Sequence, residues 1–290
     1  MTDNATPSLS KANDPTVAIA LGAGGARGFA HISVIEALDE MGIRPVCIAG
    51  ASMGALIGAG MAAGMRGREI REYVLETVGK RSTVANRLWN LGPGTMRDAL
   101  GGFRLGQFNL ERILAAFLPP ELPADFSALR IPLKVVTTDY YAQSESIREE
   151  GALHPALAAS AAIPVLFMPV EIDGRIMVDG GIVNPVPYEH LRPLADIVIA
   201  VDVVGAPDGE GVPNRFDSLF GASQLMMQSM IALKLKLSKP DIFLRPPVNA
   251  FRVLDFVKAR QVLEAADGVK DDLKRQIETA IEVRLRSAIA

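Results

Sequence analysis

One cysteine, one tryptophan and three histidines in 290 residues leave little room for several kinds of chemistry. The single thiol, Cys47, supports neither a disulfide framework nor a cysteine-based zinc cluster. His31, His154 and His190 are too scattered to read as a metal site, so no metal is expected. An excess of one charge sign is also lacking. Thirty basic residues against thirty-three acidic ones give a net charge of -3. That balance argues against nucleic acid as a partner, which would call for a basic face. Long unbroken apolar runs are missing too, although the mean hydropathy of +0.23 is high. Residues 46–65 are uncharged but hold five glycines, Gly60 and Gly64 among them in a GxxxG spacing. They open on a β-type run and then a turn, so a buried strand, turn and helix account for them better than one span. Residues 152–170 are interrupted by Pro155, Pro164 and Pro169. Residues 1–16 are polar, with no apolar segment of the kind a secretory signal has. A disordered N-terminal extension and a cytoplasmic protein are the expectation.

What is present is core-forming material: 49% of residues are apolar and 22% charged, enough for a sizeable buried interior. Residues 16–21 form a continuous apolar run ending in glycines, as in a strand buried on both faces. A glycine-rich turn and a helix over 27–41 follow, then a strand over 46–49 and a small-residue helix over 53–65. This alternation implies parallel strands with right-handed crossovers. Further helices are predicted over 66–78, 109–117, 155–162, 216–237 and 253–285, the last broken at Gly268. Strands are expected over 133–138, around Ser146, and over 196–203 and 241–244. A hairpin is expected across Asp173-Gly174, from 170–172 to 175–178. The fold class is α/β: one three-layer domain over 17–290, with a mostly parallel sheet flanked by helices.

Three short motifs could share one chemistry. Gly22-Ala-Gly-Gly-Ala-Arg-Gly28 lies between a strand and a helix. It fails the dinucleotide register, because Arg27 stands where the third glycine belongs. What remains is a turn that offers N–H groups to an anion at a helix N-terminus. Gly50-Ala51-Ser52-Met53-Gly54 fits a nucleophile elbow, with a strand before and a helix after. Asp179-Gly180-Gly181 leaves a strand into a turn, where α/β sheets place functional groups. A serine nucleophile needs a base. Two solutions stay open: Asp179 itself, or a Ser52, Asp179, His190 triad with His190 on a surface helix over 187–191.

Taken together, GGARG, GASMG and DGG, with the block Ala159-Ser160-Ala161-Ala162-Ile163-Pro164-Val165-Leu166-Phe167-Met168-Pro169, resemble the patatin-like phospholipase family. The closest likeness is to its compact bacterial members, related to the esterase domain of neuropathy target esterase. The resemblance covers 17–203. It implies a Ser52–Asp179 dyad with no histidine, and an oxyanion hole at Gly24, Gly25 and Ala26. Gly22, Gly28, Gly50, Gly54, Gly180 and Gly181 complete its motifs. Ala23 stands where many members carry another glycine, a change that leaves backbone donation intact. Arg27 matches the family's basic position, either supporting the turn or meeting an anionic head group. A surface ion pair is the plain alternative.

The function this implies is hydrolysis of acyl esters of (lyso)phospholipids or related lipids, without metal or organic cofactor. It would act through an acyl-enzyme, with transient contact at a membrane surface. A catalytically silent binding protein on the same scaffold is the other class of reading. Residues 80–106 with Trp89 read equally as a lid or as packing, and the methionines of 216–237 as core.

Overall fold

A computed structural model describes residues 15–80, 82, 83, 86, 110–207 and 211–289. Residues 1–14 of the expected extension, and Trp89 with most of 80–106, lie outside the described residues.

The centre is an eight-stranded mixed sheet. Strand β1 (Val17–Leu21) pairs parallel with β2 (Ile48–Ala51) on one side and β7 (Ile197–Val201) on the other. Beyond β7 runs β8 (Ile242–Leu244), also parallel. Alternation divides β1 between two interiors. Val17, Ile19 and Leu21 join the larger core, while Ala18 and Ala20 face the smaller one. Strand β7 repeats the pattern with Ile197, Ile199 and Val201 against Val198 and Ala200. Both faces are buried, as the unbroken apolar runs imply.

Helices α1 (Ala30–Glu40), α2 (Met53–Ala62), α3 (Gly67–Thr77), α4 (Leu110–Phe117) and α5 (Leu153–Ser160) all contribute to the larger core. Helix α6 (Arg215–Leu237) sends Ile231 into the smaller one. Helices α7 (Ala259–Ala266) and α8 (Val269–Ile289) flank Gly268, where the break was expected. Residues 253–258 ahead of them form a turn and a short 3₁₀ helix, Phe256–Lys258, rather than the start of one long helix.

The remaining strands are antiparallel where the chain doubles back. Strand β3 (Leu133–Asp139) runs parallel to β2 over its first half. Strand β4 (Ser144–Arg148) pairs along Val135 to Asp139 and so takes one edge of β3. β5 (Val170–Ile172) and β6 (Arg175–Asp179) form the expected hairpin, with φ 53° at Asp173 and 73° at Gly174. These left-handed values suit the Asp-Gly turn.

Two expectations are corrected here. Residues 187–191 are not a surface helix but a short 3₁₀ turn, Tyr188–Leu191, with Tyr188 and Leu191 buried. Alanines on that side of β1 and β7 leave room for it. The methionines of α6 are core only in part: Met227 packs against the smaller interior, whereas Met226 is 62% exposed.

Candidate active site

Register brings two strand ends together. Because β4 fills one edge of β3, β2 and β6 share the other, end to end. Ala51 pairs with Val136 and Asp179 with Thr137, so the residue after β2 meets the last residue of β6. That residue is Ser52, at φ 53° and ψ −124°. A left-handed serine is strained, and such strain persists only where the surroundings impose it. Here the surroundings are visible. The Ser52 carbonyl accepts from Ala55 and Leu56 and starts α2. Its N–H donates to Ser160 Oγ at 2.9 Å, and Ser160 Oγ donates to the Val136 carbonyl at 2.6 Å. The flanking glycines are required by contact. A Cβ on Gly54 would stand 2.0 Å from the Leu21 carbonyl oxygen, and one on Gly50 2.6 Å from Ala55 Cα.

Ser52 Oγ donates to Asp179 Oδ2 at 2.7 Å. The other carboxylate oxygen accepts from Gly181 N–H at 2.8 Å, an Asx-type turn. Asp179 is fixed from behind as well: its N–H donates to the Ala162 carbonyl, and its carbonyl accepts from Thr138 Oγ1 at 2.8 Å. Only 6% of the residue is exposed, and burial pushes its carboxyl up to about 6 against the pull of the Ser52 and Gly181 hydrogen bonds. A carboxylate raised toward neutrality is a better proton acceptor than an ordinary aspartate. The N-terminus of α2 adds a favourable field for negative charge developing on Ser52.

The glycine-rich turn faces the start of α2: a Cβ on Gly28 would meet Met53 Cγ at 2.3 Å. Its N–H groups divide into used and free. Gly22 donates to Val201, Ala23 to Pro185 and Ala26 to the Val253 carbonyl at 2.8 Å. Ala26 is thus removed from the expected set of three donors, its N–H being spent on the 253–258 segment. Gly24 and Gly25 make no backbone N–H bond among the described residues, and Gly25 is held at φ +57°. His31 lies beneath the turn, wholly buried, with Nε2 donating to the Gly22 carbonyl at 2.8 Å. Burial lowers it to about 4, so the ring is neutral. Arg27 is 2% exposed, which excludes a surface ion pair and turns it away from any head group. Its guanidinium packs against Gly205 and donates to the Gln224 carboxamide oxygen, that amide being oriented on hydrogen-bonding grounds. Burial lowers Arg27 to about 10, opposed by Asp202, and it remains charged at neutral pH. Support of the turn is the role this leaves.

The family model for patatin-like phospholipases matches residues 19–192, more than half of the chain. The chain belongs to the patatin-like phospholipase family. An uncharacterized NTE family protein of Mycobacterium tuberculosis is 40% identical over 198 residues, covering 68% of this chain and 51% of that protein. Patatin-like phospholipase domain-containing protein 7 of Rattus norvegicus is 27% identical over 277 residues, covering 86% of this chain and 20% of its own length. The chain thus spans about half the length of the first relative and a fifth of the second. Among solved structures, human GIVD cytosolic phospholipase A2 in complex with methyl gamma-linolenyl fluorophosphonate aligns at TM-score 0.49 and 12% identity. That alignment covers 94% of this chain and 60% of the other. VipD from Legionella pneumophila aligns at 0.47 and 16%, covering 92% and 67%.

Within this patatin-like chain the histidine alternative fails. His190 Nε2 lies 2.9 Å from Glu145 Oε1, and that hydrogen bond raises its pKa. Asp179 meets Ser52 and Gly181 instead. His154 is exposed at the start of α5. His190→Gln is therefore expected to cost less than about tenfold in esterase rate, under ~1.4 kcal/mol; a loss matching that of Ser52→Ala would restore the triad. Glu145, Glu189 and His190 place ligand atoms within 4.8 Å of one another, as a divalent cation would need. The Lys234 ammonium already pairs with Glu189 there, at 2.6 Å.

Ser160 carried no assigned role in the sequence. Its signals are a hydroxyl at the end of an alanine-rich apolar run and a place in the 159–169 block that resembles the family. Ser160→Ala leaves the Ser52 N–H and the Val136 carbonyl facing each other without a bridge. The expected result is a stability loss of about 1–3 kcal/mol. Turnover should fall while KM on a short soluble ester stays put, because the elbow loses its clamp and not its pocket. Melting curves and steady-state kinetics check both.

Proposed function

We propose that the protein is a serine esterase hydrolysing acyl esters of lipids, (lyso)phospholipids foremost, through a Ser52–Asp179 dyad. One observation carries this: a buried Ser52 hydroxyl on a strained elbow donates at 2.7 Å to an aspartate raised to about 6. Asp179 accepts the hydroxyl proton as Ser52 Oγ attacks the acyl carbon. The carbonyl oxygen, now an oxyanion, settles on the N–H groups of Gly24 and Gly25. One such donor is worth roughly 10²–10³ in rate. The tetrahedral intermediate collapses, the C–O bond to the alcohol breaks, and the alcohol leaves with the proton from Asp179. Water then attacks the acyl-serine while Asp179 takes its proton; the bond from Ser52 Oγ to the acyl carbon breaks, the carboxylic acid leaves, and the proton returns from Asp179 to Ser52. Family membership supports the lipid ester as substrate, and no step calls for a metal.

A fluorophosphonate probe tests the assignment. Mass spectrometry should place the adduct on Ser52; labelling elsewhere with Ser52 unmodified removes it. The pH profile gives a second check. The base must be ionised, so kcat/KM should fall as pH drops through about 6, roughly tenfold per unit below that. A profile flat down to pH 5 would mean that Asp179 is not the base.

A further inference from the structure

We propose that the outer face of α6 docks the protein on an anionic bilayer surface. The inference rests on the lipid-ester reading and adds how the substrate is presented. Helix α6 has two apolar lines. The inner one includes Ile231, fully buried, beside Gln224. The outer one consists of Leu219, Met226, Leu233 and Leu237, exposed by 44%, 62%, 58% and 78%. Spacings of seven, seven and four residues set these four on one side of the helix, along about 27 Å.

Charge selects the occupant. Residues 215–239 hold Arg215, Lys234, Lys236 and Lys239 against one acid, Asp217, in a chain whose net charge is -3. Lys234 turns inward to Glu189, while Arg215, Lys236 and Lys239 are exposed. An apolar line flanked by exposed cations is how a helix lies in a membrane interface. Each cation near an anionic leaflet adds roughly fivefold to partitioning. A second copy of the chain fits less well. Four side chains at these exposures amount to a few hundred Å², short of the ~800 Å² per partner of a stable dimer.

Position agrees with charge. The inward flank of the same helix reaches the Ser52 site: Met227 Sδ lies 3.5 Å from where a Cβ on Gly181 would stand, and Gln224 faces Arg27. Ile182, just after Gly181, and Leu254, next to Val253, are each more than 40% exposed and extend the apolar rim. A lipid leaving the bilayer beside α6 has a short path to Ser52.

The test is co-sedimentation with vesicles of phosphatidylcholine and phosphatidylglycerol in a two-to-one ratio, in a Ser52→Ala background so that no lipid is consumed. Binding is expected, weaker on pure phosphatidylcholine and weakened by salt. Met226→Glu with Leu233→Glu should reduce it at least about tenfold, and Lys236→Glu with Lys239→Glu should also reduce it. With Ser52 restored, both pairs should hydrolyse soluble p-nitrophenyl butyrate at the parent rate. Circular dichroism melts check folding, and the exposed lysine pair decides if the glutamate pair unfolds. Equal sedimentation of all variants overturns the proposal. So does light scattering that shows a parent dimer dissolved by the glutamate pair, because a second copy then covers the line. Vesicle binding without butyrate hydrolysis would instead sink the esterase reading and leave the docking surface standing.

Discussion

Ser52→Ala and Asp179→Asn will each remove ester hydrolysis, by at least about 10³-fold or ~4 kcal/mol of transition-state stabilisation. The double variant should be no worse than either single one, because the two groups act as a unit. Stability should move the other way for Asp179→Asn. Burial raises this carboxyl from 3.8 to about 6. A carboxyl whose folded pKa is raised favours the fold below its unfolded pKa and loses that contribution as pH climbs through the folded one. At pH 7.5 the ionised, buried Asp179 therefore costs the fold about 3 kcal/mol, two units at ~1.4 each. Asparagine removes that cost. Its oxygen keeps the Gly181 N–H, and its amide nitrogen faces the Ser52 hydroxyl, which accepts as readily as it donates. The variant should melt several degrees above the parent at pH 7.5 and level with it near pH 4. An Asp179→Asn chain that is less stable at pH 7.5 would show that the site stores no such cost. Ser52 can be probed in the same way. Alanine keeps the strained φ of 53°, whereas glycine relieves it, so Ser52→Gly should outlast Ser52→Ala by about 1 kcal/mol.

These quantities also mark where the sequence stops being legible. Strand β1, the elbow and the Asp173-Gly174 hairpin are written in neighbouring residues: an apolar run, glycines beside a serine, a turn pair. Each depends on sterics within a few positions, so each can be read locally. Ser52 and Asp179 are 127 residues apart, and what joins them is the shared edge of β3. No local pattern states that β2 and β6 meet there end to end; the need for a base leaves Asp179 alone and a triad with His190 both open, and only the resemblance to a family favours the dyad. The loss of Ala26 as a donor has the same origin. Its N–H is taken by Val253, from a segment that reads as the start of a long helix and folds as a turn ahead of a short 3₁₀ helix. Glu145 beside His190 and Ser160 beneath Ser52 are long-range contacts as well. Burial of the carboxylate is a property of the assembled core. That is why Asp179 stands at about 6 in the fold, above the value an ordinary aspartate has.

The largest structural effect is expected from a single methyl group. A Cβ on Gly54 would stand 2.0 Å from the Leu21 carbonyl oxygen, 2.5 Å from the Leu21 carbonyl carbon and 2.7 Å from the Gly22 carbonyl oxygen. All three are backbone atoms, so no rotamer change can clear them. Nor can the strand retreat. Leu21 ends β1 and is held in register with Gly50 on one side and Val201 on the other. Helix α2 would have to lift away from the sheet, carrying Ser52 from Asp179. Helix propensity points the other way, since alanine in a helix interior is favoured over glycine by ~1 kcal/mol. Gly60 in the same helix shows the contrast. There the nearest atoms are Ile70 Cδ1 at 3.2 Å and Cγ1 at 3.4 Å, the end of a movable side chain. Gly60→Ala should thus stay within about 1 kcal/mol of the parent. Gly54→Ala should lose 4 kcal/mol or more, the range reserved for severe core or backbone clashes. For a chain of this size that is a drop in Tm of roughly ten degrees, or failure to accumulate as soluble protein. Side-by-side melts of the two variants decide it. A Gly54→Ala protein that melts with the parent and still takes the fluorophosphonate at Ser52 would mean that α2 rides higher on the sheet than these contacts describe.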